Sequence, residues 1–380
     1  MQPTVRLGRW LGVPVGLHYS WIVIAWLIAL SLARQFASVN SAWSTATVWS
    51  LSIATALLFF VCIVLHELSH ATVARLFGVP VRGITLFALG GVAAIERDAE
   101  TPAKEFWMAI AGPIASGLIG IICLSLAAML GTSHPPSQPT FLQVVLGWLG
   151  YINIALALFN LIPGFPLDGG RVLRAVVWAV TKNADRATAI ASRIGQAVGA
   201  LFIGGGFFSL FARNDFGGLW IIFIGWFLLE AARANYLQTQ LTAVLRGLRV
   251  TDVMARDCVI INADETLDQF VHDELLRLSA NCFAVSRNGQ ILGLIAPEDV
   301  RRIAKDRWAN TTVSEVMRPL RSLHPLEPSV PAMEAVTVMG REHLDQVPVV
   351  ANDGHLEGVV TRSYLSRILQ LRSQFQSGTP

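Results

Sequence analysis

Six stretches of this chain stay apolar for about the 20 residues that a helix needs to cross roughly 30 Å of hydrocarbon. They lie near residues 17–33, 46–76, 105–130, 141–162, 190–211 and 217–236. Any polar group inside such a run must face protein or water, because an unpaired one in lipid costs several kcal/mol. The fifth run is the least regular, since it contains Gly204, Gly205 and Gly206. Overall, 53% of the residues are hydrophobic and 14% charged, too apolar for an ordinary soluble chain of this length. The charges cluster: residues 1–248 hold fifteen basic and nine acidic side chains, residues 249–380 fourteen and seventeen. A membrane domain followed by a soluble one is expected.

A net charge of +3, without basic clusters interleaved with aromatics, gives no reason to expect nucleic acid. Four scattered cysteines (Cys62, Cys123, Cys258, Cys282) without a CxxC read as free thiols. The first apolar run begins near Tyr19 after a polar, basic start and lacks an A-x-A signal, so a retained helix is expected there.

Basic residues alternate between the connections. Arg6 and Arg9 precede the first run; Arg82, Arg97 and Lys104, with Arg75 at the edge, follow the second; Arg171, Arg174, Lys182 and Arg186 follow the fourth. The other side has only Arg34 and Arg213. The positive-inside rule then puts the N-terminus and the C-terminal domain in the cytoplasm, with six spans in a plasma or inner cell membrane.

The second connection, "VPVRGITLFALGGVAAIERD", alternates and is β-branched, which suggests short strands or a hairpin at the membrane, with Gly90 and Gly91 permitting close backbone approach. In "AGPIASGLIG", Ala111, Gly112, Ala115, Ser116 and Gly120 offer the small side chains that let membrane helices pack closely.

Within the second run, "CIVLHELSHATVAR" places His66 and His70 four residues apart, on one helix face, with Glu67 beside them. Two imidazoles at this spacing reach one cation, and a neighbouring carboxylate can act on a water bound to it. Three ionisable groups in five positions of an apolar helix point to function. A zinc site needs a third protein ligand. Asp168 is the candidate, in "FNLIPGFPLDGGRVLRA" after the fourth run. The second and fourth runs end on the same side, and His66 lies about 15 Å before that end at 1.5 Å per residue. Asp168 reaches it if Pro163 to Pro166 forms a re-entrant extension. Asn153 and Asn160, seven residues apart, share a face of the fourth helix.

"HELSH", "AGP" and "FNLIPGFPLDGG" together resemble the site-2 protease family of intramembrane zinc metalloproteases, in particular its branch with a C-terminal pair of CBS (cystathionine β-synthase type) domains. The resemblance implies one catalytic Zn2+ on His66, His70 and Asp168, with Glu67 as the base. It implies that Asn160 helps to hold the substrate or its oxyanion, and that Gly90 and Gly91 belong to a strand that grips an extended substrate. Substrates would be single-pass, membrane-anchored regulatory proteins. A transporter gated by the C-terminal pair would instead show polar residues through several spans and paired broken helices; a non-catalytic scaffold would not need Glu67.

"VMARD" from Val253 recurs as "VMRPL" from Val316, and "NGQILGLIAPEDV" from Asn288 as "DGHLEGVVTRSYL" from Asp353. This duplication resembles a CBS pair, an α/β module that often binds adenine nucleotides and forms homodimers. The expected ribose contact is a hydroxyl followed three residues later by an acid, and neither copy has both. The first has Asp299 but Ala296, and the second Thr361 but Tyr364. Nucleotide control and a structural or dimerising role both stand. The expected fold is a mainly α polytopic membrane domain of about six helices with a small membrane-associated β region (1–245), followed by an α/β CBS pair (246–310 and 311–375).

Overall fold

The computed structural model describes residues 4–40, 42–87, 90–95, 99–131, 139–276, 280, 282–342, 344–351 and 355–368. Arg97 and the turn at Asp353 and Gly354 lie outside them. Two compact units are present, Met1–Thr239 and Gln240–Pro380.

Among the described residues, six helices are long and apolar enough to cross a membrane: α1 (Ser20–Val39), α2 (Thr45–Leu76), α3 (Pro102–Gly131), α4 (Phe141–Asn160), α6 (Ala184–Ala212) and α7 (Gly217–Leu245). Local chemistry sets their ends. Ser44 accepts from the Thr47 N–H to start α2, Thr140 from Gln143 to start α4, and Asn183 from Arg186 to start α6. α2 stops at Gly78, whose φ of 76° lets the Val79 N–H return to the Ala74 carbonyl. A shorter helix, α5 (Asp168–Thr181), stands between α4 and α6. The sequence leads one to expect a turn and an extension there. Its helix is only 14 residues long and its arginines interrupt the apolar pattern.

The N-terminal arm is also more ordered than its polarity suggests. β1 (Val5–Trp10) and β2 (Val13–Leu17) form a hairpin through Leu11 and Gly12, both at positive φ. β2 pairs in parallel with β3 (Val81–Phe87), which pairs antiparallel with β4 (Gly90–Ile95). The order β1-β2-β3-β4 leaves β4 at an edge. Val13, Val15, Ile84 and Leu86 pack on Val64, Leu68 and Ala71 of α2, so the sheet lies against the stretch that carries the two histidines.

α6 runs without interruption through its three glycines. A Cβ on Gly206 would stand 2.7 Å from the Gly218 carbonyl oxygen of α7, and one on Gly199 2.8 Å from that of Gly225. Gly204 and Gly205 face no described atom within 4 Å. Two of the glycines that blurred the fifth span are therefore spectators, and the third permits a close helix crossing.

The second unit contains a four-stranded sheet in the order β5-β6-β7-β8 (Val259–Asn262, Phe283–Arg287, Gln290–Ile295, Arg318–Pro319) and a hairpin of β9 (Gln346–Val350) and β10 (Leu356–Thr361). Asn288 and Gly289, with φ of 53° and 78°, make the tight β6–β7 turn. One expectation is corrected here: Cys258 and Cys282 are joined by a disulfide, with Cα atoms 4.8 Å apart, while Cys62 and Cys123 are free. The cause is register. β5 and β6 pair in parallel with Val259 opposite Phe283, so the residues preceding them stand side by side. Nothing in a sequence separation of 24 announces this.

The α6–α7 crossing makes a clear prediction. Gly206→Leu is expected to lower the stability of the detergent-purified protein by about 1–3 kcal/mol through overpacking, while Gly204→Leu leaves the thermal midpoint unchanged. Equal midpoints for the two variants would contradict the packing described.

Candidate metal centre

α2 delivers His66 and His70 one turn apart, both buried, and α5 delivers Asp168 from its first position. His66 Nε2 lies 3.1 Å from Asp168 Oδ2, His70 Nε2 lies 3.2 Å from the same oxygen, and the two Nε2 atoms are 3.3 Å apart. The far side of each ring is fixed by α3. His70 Nδ1 donates to the Met108 carbonyl at 2.6 Å, and His66 Nδ1 shares a hydrogen with Ser116 Oγ at 2.9 Å. A carbonyl can only accept, so neutral His70 carries its proton on Nδ1 and turns a lone pair at Nε2 toward Asp168.

A cation fits this triangle. Tetrahedral zinc with bonds of about 2.0–2.1 Å has ligand–ligand edges of about 3.3–3.4 Å, close to those observed. Space is provided by Gly112 of α3. A Cβ there would stand 2.2 Å from His70 Nε2 and 2.6 Å from His66 Nε2. Glycine alone keeps the region beside both donor atoms clear.

Asp168 arrives there because the preceding chain folds onto itself. A Cβ on Gly169 would meet the carbonyl oxygens of Leu161 and Ile162 at 2.4 Å, and one on Gly170 the carbonyl carbon of Gly164 at 2.3 Å. The two glycines after Asp168 let the first turn of α5 sit on residues 161–164. A carboxylate at a helix N-terminus also meets the positive end of the helix dipole. Farther along, Arg171 and Arg174 of α5 bind the fully buried Glu105 of α3.

Glu67 lies within electrostatic reach of His70 and Asp168, on the side facing β4. The backbone of β4 closes over it, and a Cβ on Gly91 would stand 2.5 Å from Glu67 Cγ. The two asparagines of α4 are not drawn into the triangle. Asn160 Nδ2 donates to the Leu156 carbonyl at 3.1 Å, and Asn153 Nδ2 to that of Leu149 at 2.8 Å, each within its own helix. Asn153 is fully buried. Sequence reasoning missed Glu105, the Met108 carbonyl and the bonding role of Ser116, which it read as a small packing residue. The available signal was their spacing: 105, 108, 112 and 116 fall on one helical face.

Comparison with known proteins identifies the family of the chain. The profile of peptidase family M50 matches residues 54–142 and 125–202, and that of the CBS domain matches 250–306 and 313–371. A candidate zinc metalloprotease of Synechocystis sp., sll0528, is 34% identical over 97% of this chain and 96% of its own. Rip3 of Mycobacterium tuberculosis, likewise a candidate zinc metalloprotease, is 32% identical over 98% and 94%. Among solved structures, the site-2 protease from Methanocaldococcus jannaschii is 30% identical, with a TM-score of 0.42 over 61% of this chain and 94% of that one. On the strength of relatives that match along nearly their entire length, this chain belongs to peptidase family M50, the site-2 protease family, as a multi-pass membrane zinc metalloprotease with a C-terminal CBS pair.

Proposed function

We propose that the chain cleaves peptide bonds in or near the transmembrane segments of single-pass, membrane-anchored regulatory proteins, using one zinc ion held by His66, His70 and Asp168. The observation that carries this reading is the convergence of three acceptor atoms over Gly112, beside the Glu67 carboxylate, among helices long enough to span a membrane. When bound, zinc supplies a Lewis acid that acidifies water and polarises a carbonyl. Glu67 takes the proton from the attacking water and passes it to the leaving amine. Ser116 and Met108 hold the imidazole rings in orientation throughout, from the nitrogens opposite the triangle. Asn160 Nδ2 spends one of its two hydrogens on the Leu156 carbonyl, which leaves the other to donate to the developing oxyanion.

A substrate helix protects its own peptide bonds and must unwind to be cut. The free edge of β4, at Gly91 above Glu67, offers hydrogen bonds to an extended strand next to the catalytic carboxylate. The excess of basic residues in alternate connections supports a cytoplasmic N-terminus and CBS pair, within domain bounds of 1–245, 246–310 and 311–375.

We further assign an adenine nucleotide to the CBS pair, as a regulator of cleavage. A cleft of about 450 Å³ is lined by Phe283, Ala296, Gln346, Thr361 and Arg362, among others from both copies. The buried Gln346 Nε2 at this cleft has no hydrogen-bond partner among the described residues. A buried amide donor without a partner, at a cleft lined by both copies, suits the polar edge of a base. Homodimerisation through the pair is proposed from the domain type alone.

Three outcomes are expected. Glu67→Gln keeps stoichiometric zinc by elemental analysis and lowers cleavage of a transmembrane substrate by about 10²–10⁴-fold; near-normal cleavage by this variant removes Glu67 from its role. Gly112→Ala purifies without zinc, because the added methyl occupies the place of the ion. Titration of the full-length protein with ATP or AMP gives saturable binding, which Gln346→Leu weakens about 5-fold, the worth of one hydrogen bond of about 1 kcal/mol. An absence of binding at millimolar nucleotide returns the pair to a structural or dimerising role.

A further inference from the structure

We propose that Glu105 is a positioning residue for the metal centre: it fastens α5 to the same face of α3 that orients both imidazoles, and so sets where the Asp168 carboxylate stands. The inference rests on the zinc reading above and extends it to a residue that touches neither metal nor substrate.

Glu105 is fully buried in the first turn of α3. Its Oε1 accepts from Arg171 Nε at 3.2 Å and from Arg174 Nη1 at 3.1 Å, and its Oε2 accepts from Arg174 Nη1 at 3.0 Å. Both arginines lie on α5, three and six residues beyond Asp168. The two helices run antiparallel at this contact. Along α3, Glu105 precedes Gly112 by seven residues, about 10.5 Å; along α5, Asp168 precedes Arg174 by six, about 9 Å. The ion pair and the metal triangle are therefore two rungs of one ladder, with nearly equal rails.

Apolar side chains permit a helix to slide, because their attraction is not directional. A carboxylate held by two guanidinium groups does not, since the hydrogen bonds are charge-assisted and directional, and Glu105 itself is fully buried. A slip of α5 by one residue, about 1.5 Å, would carry Asp168 the same distance. Coordination tolerates about 0.2 Å. The remaining rungs support this use of α3: Met108 and Ser116 hold the rings, and Gly112 clears the space between them. One face of one helix thus fixes all three donor groups, two directly and the third through Glu105.

The test uses full-length protein in detergent, with zinc affinity measured by chelator competition and the visible spectrum of the Co2+-loaded form. Three variants are compared with wild type: Glu105→Asp, which keeps every charge and shortens the arm; Glu105→Gln; and the combination Glu105→Met, Arg171→Leu, Arg174→Leu, which removes the buried charges together. The expected result is a zinc affinity weakened by about 10–100-fold with an altered cobalt spectrum, Glu105→Asp being the mildest. Variants that melt at a lower temperature but keep wild-type zinc affinity and cobalt spectrum would show an ordinary structural ion pair and overturn the proposal. Glu105→Asp alone decides the matter if the others fail to accumulate. A wild-type chain that takes up no stoichiometric zinc would overturn the zinc reading, and this inference with it.

Discussion

Three acceptor atoms pointed at one another inside a membrane domain are an unfavourable arrangement, and the rest of the first unit is organised around keeping them there. His66 Nε2, His70 Nε2 and Asp168 Oδ2 lie within 3.3 Å of each other. In a low-dielectric interior their mutual repulsion is poorly screened. A divalent cation reverses its sign, which is why the same geometry is costly empty and strong when filled. Until filling, the scaffold must resist the tendency of the rings and the carboxylate to turn away. α3 provides that resistance, one turn after another, with a carbonyl, a missing side chain and a hydroxyl.

Rigidity of this kind is difficult to obtain in lipid, where burying apolar surface gives helices little reason to associate. Close approach supplies it instead. Gly120 of α3 lies against Ile154 of α4, and Gly150 of α4 against Leu124 of α3, so each helix receives a side chain of the other. The same device joins α6 to α7 and, at Gly164 and Gly195, the return loop to α6, where a Cβ on Gly195 would stand 2.1 Å from the Phe165 carbonyl oxygen. Dispersion falls steeply with separation, so glycine contacts that bring backbones together gain attraction that leucine faces could not. Close packing on both sides of α3 holds the template, and the template holds the site.

How much of this was legible in the sequence follows from the range of the interactions. His66, Glu67 and His70 stand out because helical spacing is a local property and their apolar surroundings make them conspicuous. Asp168 could be paired with them only through topology, by counting spans and noting which ends share a side. The helix that carries Asp168 was hidden, as its 14 residues and its two arginines fit no membrane pattern until both are seen to bind Glu105. Ser116 looked like a small residue because nothing nearby in sequence says that its hydroxyl meets an imidazole 50 positions away. The β1–β2 hairpin needed β3 as a parallel partner, and the Cys258–Cys282 bond needed the register of β5 on β6. Each of these depends on an element distant in the chain.

The CBS pair shows the opposite case, in which departures from a family pattern acquire a physical reason. Asp299, the acid of the first copy, is buried and already spent: Oδ2 accepts from the Ala296 N–H at 3.1 Å and Oδ1 from Arg318 Nε at 2.9 Å. Thr361, the hydroxyl of the second copy, accepts from the Tyr364 N–H at 3.2 Å and meets Ser363 Oγ at 3.1 Å. Each half-motif therefore caps the start of its own helix. Without a hydroxyl at 296, Asp299 turns back to the backbone; without an acid at 364, Thr361 does the same. What the cleft retains is an asymmetry between the copies. Phe283 and Gln346 are each the first residue of the leading strand of a hairpin, and both line the cleft. Recognition built on the unpartnered Gln346 amide would read the polar edge of a base, and would depend little on a ribose contact that neither copy has complete.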